Sequence, residues 1–341
     1  MTPSADPGPL VESVFDHRRV WAFGAVCVFA ILLAVGYASV VAGRRARPSG
    51  AAVRLLAGPP EKPYLVVSST DPGDTWGRLV LVSAAAPDAG MFVTSLACQR
   101  THMAGGRGTC LRQEPATSQY FLEIFDDTFT SRHRVPLTGV PSRTRVSPDG
   151  RWAAATVFEH GHSYAEAGFS TRTTLTDTAT GTVHADLEKF EVERDGRPFK
   201  SPDFNFWGVT FAPDSDTFYV TLSSGGVNYL AVGQVSTRRA RVLRTGVECP
   251  SRSPDGTHIA YKHRIGRDAW QLRLLDLRAG TERDLSSETR GLDDQVDWLD
   301  DRHVIYQMVG ATGANVWVLE TTGTASPRLF VARAFSPSVI R

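Results

Sequence analysis

Few residues in this chain are spaced for chemistry. His160 and His162 stand two apart, with Glu159 and Glu166 beside them. On a strand that spacing puts both imidazoles on one face, where they could share a metal ion, although a His-containing surface loop is the commoner meaning. Asp293, Asp294, Asp297, Asp300 and Asp301 form an acidic run that could hold a hard cation or simply edge a solvated blade. Cys98 and Cys110 flank a Gly-rich stretch, residues 99–109, which can fold back as a hairpin and bring neighbouring strands to disulfide distance. The bridge, expected here over two small buried thiols, would contribute on the order of 2–3 kcal/mol by chain entropy. Cys249, ahead of Pro250, reads as a packed thiol and not a nucleophile. No G-x-S-x-G elbow, P-loop or H-E-x-x-H pair occurs. The sequence therefore assigns no catalytic residue, no metal and no cofactor.

The elements that must position these residues follow from composition. In 341 residues, 42% are hydrophobic and 21% charged, with 37 Lys plus Arg against 36 Asp plus Glu. A net charge of +1 provides no basic surface for a phosphate backbone, so nucleic acid is excluded as a partner. Thirty Gly and twenty Pro favour many turns over long helices, and hence an all-β fold.

Residues 20–43, opening on Val20 and closing on Gly43, contain no charge and would run about 36 Å as a helix. Trp21 and Tyr37 lie near the ends, and Arg18, Arg19, Arg44, Arg45 and Arg47 flank the segment. The expectation is a single uncleaved transmembrane helix. A cleavable signal peptide is the alternative, with Val40-x-Ala42 as its small-residue site, but the apolar stretch exceeds the roughly 7–15 residues of a signal core. Two Arg before the span and three after it favour the reverse orientation. Large folded domains translocate regardless of that bias, and the cysteines favour an oxidising exterior. Residues 1–19 are thus expected as a cytoplasmic tail, 44–63 as a Pro/Gly-rich stalk, and the bulk of the chain as extracytoplasmic.

The rest of the chain repeats. Ser147-Pro148-Asp149-Gly150 and Ser253-Pro254-Asp255-Gly256 each head a strand of β-branched and aromatic residues, and Pro second with Gly fourth suits a type I turn. Degenerate copies end at Ser215 and Asp301, and an earlier one is placed at Gly108. The marks are 42, 65, 41 and 45 residues apart. Four short antiparallel strands in roughly 40 residues make one propeller blade, and such blades bury their faces only by stacking in a ring. A first, partial blade (Tyr64 to Ser68, Gly77 to Ser83, Met91 to Thr94) lacks its innermost strand, which residues 332–341 can supply from the other end of the chain. The expected fold is all-β: a six-bladed propeller of four-stranded antiparallel blades over residues 64–341, closed by its C-terminal strand and preceded by one helix.

Tandem S-P-D-G turns, each heading an apolar strand, with the later "L-x-x-L-D-L" run and a closing "R-x-L" type strand, resemble the TolB-like, WD-repeat-related propeller family. The resemblance covers residues 60–341 and is most specific over 146–158 and 249–285. Pro is missing from the turns of the second and sixth blades, and the third interval is long. The resemblance implies a monomeric extracytoplasmic propeller that binds an envelope protein or peptide. Relatives of prolyl oligopeptidase also carry such a propeller but add a hydrolase domain, for which the repeats leave no room here.

Propellers bind ligands in the funnel over the central channel. The extra residues of the third interval are expected to cap it, with Tyr164, Phe169, Phe190, Phe199, Phe204, Phe206 and Trp207 as aromatic anchors. Phe206 and Trp207 also head a core strand. Arg143, Arg145 and Glu248, just before innermost turns, can point into the channel or sit on the rim. The function expected is a membrane-anchored binding module without chemistry of its own. A lactonase or glycan hydrolase with its site in the funnel is the alternative, and a sensory ectodomain is disfavoured by the short tail.

Overall fold

A computed structural model describes residues 17–45 and 54–341 apart from 162, 163, 165–167, 267, 268, 286, 287, 289–291, 293, 311, 312, 324 and 325. The chain divides into two units, Met1–Ala52 and Val53–Arg341. Most of the expected tail, residues 46–53 of the expected stalk, His162, Glu166 and Asp293 lie outside the described residues.

The first unit contains one helix, His17–Arg45. Among the described residues no helix is long and apolar enough to cross a membrane. The span expected over residues 20–43 is therefore corrected to a helix alone.

In the second unit the S-P-D-G turns form for a local reason. Gly150 N–H donates to Ser147 O at 2.8 Å, Ser147 Oγ donates to Asp149 Oδ1 at 2.6 Å, and the same carboxylate accepts Arg151 N–H at 2.9 Å. Gly150 is required twice over. Its φ is +78°, and a Cβ there would lie 2.5 Å from Gly105 O in the neighbouring blade. The turn at residues 253–256 repeats the pattern, and adjacent turns are laced together: Asp149 N–H donates to Ser215 Oγ and Asp255 N–H to Asp301 Oδ1. The degenerate copies therefore supply acceptors to the intact ones.

Each turn joins an innermost strand to the second strand of its blade. The innermost strands are Arg100–Ala104, Val140–Val146, Asn205–Phe211, Glu248–Arg252, Asp297–Trp298 and, in blade one, Ala334–Ile340. Second strands such as Trp152–His160 are buried on both faces over most of their length because each blade is covered by a neighbour on either side. Leu65, Val67, Ile305, Val316 and Val339 make the packing between blades one and six.

The closure holds as expected. Ala334–Ile340 pairs antiparallel with Tyr64–Ser69, placing Tyr64 opposite Ile340 and Leu65 opposite Val339, so blade one contains strands from both ends of the repeat region. Two details differ. In blade two the turn falls on Gly105 and Gly106, both at positive φ, while Gly108 lies in the following strand, where a Cβ would strike the Phe125 ring. In the long third interval, Glu191–Arg194 and Arg197–Phe199 form a hairpin on the outer edge of blade four, with Glu191–Arg194 parallel to Arg239–Thr245. These residues widen a blade to six strands and do not cap the channel.

Candidate functional site

All six innermost strands end on one cavity, on the face of the ring that carries the S-P-D-G turns. It has a volume of about 740 Å³. The size is that of a small-ligand or peptide pocket. Strand alternation selects what faces it: the residue two before each turn is Arg145 in blade three, Thr210 in blade four, Ser251 in blade five and Asp297 in blade six, and all four line the cavity. His102 and Ala104 contribute from blade two, Val339 and Ile340 from blade one, and Lys62, Asp127, Arg252, Trp298 and Arg341 complete the wall.

Arg145 and Asp297 form the electrostatic centre. Their side chains are only 9% and 13% exposed, with Nη1 to Oδ1 at 3.3 Å, and Arg145 Nη2 also donates to Val296 O at 3.1 Å. Burial alone would raise the Asp297 carboxyl. The guanidinium groups of Arg145 and Arg341, with the Val339 N–H donating to Oδ2 at 3.1 Å, outweigh it and hold the group below its usual value. Arg341 donates to Trp298 O, and Trp298 Nε1 donates to Ser251 O at 3.0 Å, so the floor is rigid.

His102 is the nearest thing to a base. Burial, reinforced by the charge of Arg145, pulls it down to about 3, and its Nδ1 accepts the Val146 N–H at 3.0 Å. A neutral ring accepting at Nδ1 carries its proton on Nε2. His102 is therefore a fixed donor on the wall. It is badly matched to proton abstraction near neutral pH.

Below the funnel the channel tightens to a space of about 30 Å³ lined by Arg100, Arg143, Arg145, Asp294 and Gln295 among others. Arg143 is buried, donates to Ser142 O and lies 5.4 Å from the Tyr164 ring centroid. Glu248 sits further along, 1% exposed and 2.9 Å from Arg264 Nε. The structure thus brings Arg143 and Arg145 into the channel and packs Glu248 against blade five.

The aromatic residues split into two packed groups. Tyr164 stacks on Trp207 at 4.9 Å and meets Phe169 edge-on at 5.6 Å, with the Tyr164 hydroxyl 2.5 Å from Ser142 Oγ. Phe199, Phe204 and Phe206 form a chain of edge-to-face contacts 5.0–6.1 Å apart, within the same apolar cluster as Phe190. Tyr164, Phe190, Phe206 and Trp207 are buried and the other three half-buried.

Cys98 and Cys110 are bonded, as expected, between the end of blade one and the second strand of blade two. Cys249 is a buried free thiol. His160 is exposed, its Nδ1 against Glu159 O. The acidic run is a solvated edge only at Asp300 and Asp301, which are exposed. Asp294 is buried opposite Arg100, Asp297 is in the funnel, and Asp300 caps the turn before His303. Among the described residues no group of three or more His, Cys, Asp or Glu is placed to hold a metal ion.

His102, Arg252, Trp298 and Arg341 went unread in the sequence. Register counted back from the turn would have found Trp298 and Arg252, each one residue before a turn, but His102 and Arg341 lack a marked turn beside them.

No protein-family model matches the sequence, and no curated protein matches it. Solved structures do. TolB from Acinetobacter baumannii matches at a TM-score of 0.59 and 14% identity, over 83% of this chain and 68% of that one. A structure of a nidogen/laminin complex matches at 0.55 and 11% identity, over 81% and 98%. A puromycin-hydrolyzing peptidase of Mycobacterium tuberculosis matches at 0.46 and 14%, and there the match spans 44% of the peptidase. At these identities the likeness to TolB and to the nidogen/laminin structure is one of fold alone.

Proposed function

We propose that this propeller is an extracytoplasmic binding module that takes a protein segment or peptide of the cell envelope into its turn-side funnel, without chemistry of its own. The observation that carries the reading is the convergence of six innermost strands on one cavity whose central charged pair and only imidazole are already engaged. Arg145 and Asp297 are paired, and the accepting nitrogen of His102 is filled by a backbone N–H. Such a wall offers donors and fixed charge for recognition, and the hydrolase alternative finds no poised base in His102. The Cys98–Cys110 disulfide points to an oxidising compartment outside the cytoplasm. The proposal also attaches the protein to the envelope through the helix His17–Arg45, whose exposed Trp21, Phe23, Phe29 and Tyr37 need an apolar cover.

The test is cross-linking in intact cells of an affinity-tagged full chain, with separation of membrane and soluble fractions. One envelope protein is expected to co-purify. Its capture is lost in Ala104→Trp, which fills the funnel without removing a charge, and kept in Trp76→Ala, at the far end of the blade-one strands. Capture that survives Ala104→Trp refutes the funnel as the site. Deleting residues 20–43 is expected to release the protein from the membrane fraction.

A further inference from the structure

We infer that the funnel's occupant is an acidic peptide segment, recognised through its side-chain carboxylates. This rests on the reading of the funnel as a peptide site. Of the ionised side chains on its wall, Lys62, Arg145, Arg252 and Arg341 are positive and Asp127 and Asp297 negative. Arg145 and Asp297 neutralise each other at 3.3 Å, which leaves three cations against one exposed carboxylate.

Two of those cations act on a wall or rim carboxylate only from a distance, Arg341 on Asp297 and Arg252 on Asp214. Arg252 lies over the turn at Gly256 and reaches Ser253 O at 3.5 Å, and Arg341 donates to Trp298 O. Among the described residues neither has a carboxylate within ion-pair distance. The donors are not exhausted deeper in the funnel either: Arg145 Nε is buried with no partner among the described residues, and His102 offers its Nε2–H. Guanidinium forks match carboxylates two bonds at a time. Phe211, Trp298, Val339 and Ile340 form apolar walls between the charges, and a cleft of one sign with low-dielectric walls concentrates its field.

The spacing selects a chain over a compact anion. Lys62 precedes blade one, Arg252 ends the innermost strand of blade five, and Arg341 follows the last strand of blade one. Lys62 and Arg341 flank the paired Tyr64 and Ile340 of blade one and Arg252 stands on blade five, and charges at two places on the rim of a 740 Å³ cavity suit separate carboxylates on an extended backbone.

The test uses the full chain and two fluorescein-labelled, C-terminally amidated probes, hexaglutamate and hexaglutamine, read by anisotropy. Hexaglutamate is expected to bind about tenfold tighter in about 20 mM salt, with the preference shrinking by about 300 mM as screening sets in. The Arg252→Gln/Arg341→Gln double variant, checked for an unchanged melting temperature, should lose most of the preference, and Ala104→Trp should abolish binding. Equal binding of both probes overturns the inference while leaving the peptide site standing. A preference untouched by the double variant overturns it as well, by placing the acid-binding surface elsewhere. Displacement of hexaglutamate by an equal concentration of inorganic phosphate overturns it in favour of a compact anion.

Discussion

The ring closes at a seam held by two serines, and removing them tests how the closure works. Ser336 and Ser338, in the innermost strand of blade one, are 8% and 0% exposed. Ser336 Oγ accepts the Thr101 N–H at 2.9 Å and donates to Thr101 O at 3.2 Å. Ser338 Oγ does the same for Met103, at 3.0 Å and 3.5 Å. The innermost strands of blades one and two therefore lie side by side without a backbone ladder, and two hydroxyls satisfy what a ladder would have. Each Ser→Ala leaves a buried N–H unpaired, which costs about 1–3 kcal/mol. Thr101 and Met103 are separate acceptors of this help, so the double variant should cost about 2–6 kcal/mol with little coupling. At about 2 °C per kcal/mol for a domain of this size, the melting temperature falls by roughly 4–12 °C. Guanidinium unfolding followed by tryptophan fluorescence measures it, with exposed Ser236→Ala as the control. A double variant within about 0.5 kcal/mol of the parent, at an unchanged m-value, would refute the account of the seam.

Four further outcomes are expected. Deleting residues 335–341 strips Tyr64–Ser69 of its partner strand and should abolish cooperative unfolding; a truncated protein that melts like the full chain contradicts closure by the C-terminal strand. Asp297→Asn leaves the buried Arg145 unpaired, at a cost of about 3–5 kcal/mol near neutral pH. Because the native carboxyl titrates below its unfolded value, that contribution is present above about pH 4 and lost as pH falls through the folded value, so the variant's stability should be flatter on the acid side. Glu188 is the opposite case: burial, and a hydrogen bond with Asp186, push its carboxyl up, while it accepts N–H bonds from Thr173 and Phe206 in neighbouring blades. The parent should lose stability as pH rises from about 4.5 through the folded value, and Glu188→Gln should remove that slope; equal slopes in both proteins would exclude a titrating Glu188. Replacing Cys98 and Cys110 by Ala should cost about 3 kcal/mol from the reopened loop, measured by the same unfolding curves.

What was legible in the sequence was what turn chemistry writes locally. Ser-Pro-Asp-Gly specifies its turn through contacts within five residues, so the blades, their order and the missing strand of blade one could all be read. The outer hairpin of blade four could not, because Glu191 meets Arg239 only through a parallel pairing across 48 residues, and nothing near Glu191 announces it. The aromatic residues from 164 to 207 were ambiguous for a different reason. Aromatic density marks an interface and a core alike, and here one group fills the core between blade three, blade four and the hairpin while the other joins blades three, four and five. The acidic run looked solvated because five Asp in nine residues repel one another, a repulsion relieved by Arg100, Arg145 and the turn N–H groups arriving from elsewhere.

The same repeat that hid the site explains where it lies. At most positions a blade residue faces another blade, and its identity is fixed by packing on both sides. The position two before each turn faces the channel instead, and there the copies have Arg145, Thr210, Ser251 and Asp297, four residues with no common size or charge. Each copy can make its own contact there, Arg145 with Asp297, Thr210 Oγ1 with the Arg252 N–H and Asp297 with the Val339 N–H, whereas loss of the turn Ser removes the Oγ that accepts the first N–H of the following strand. A ring built from copies can acquire specificity most freely where its strands stop being equivalent, and in this chain that place is the wall of the funnel.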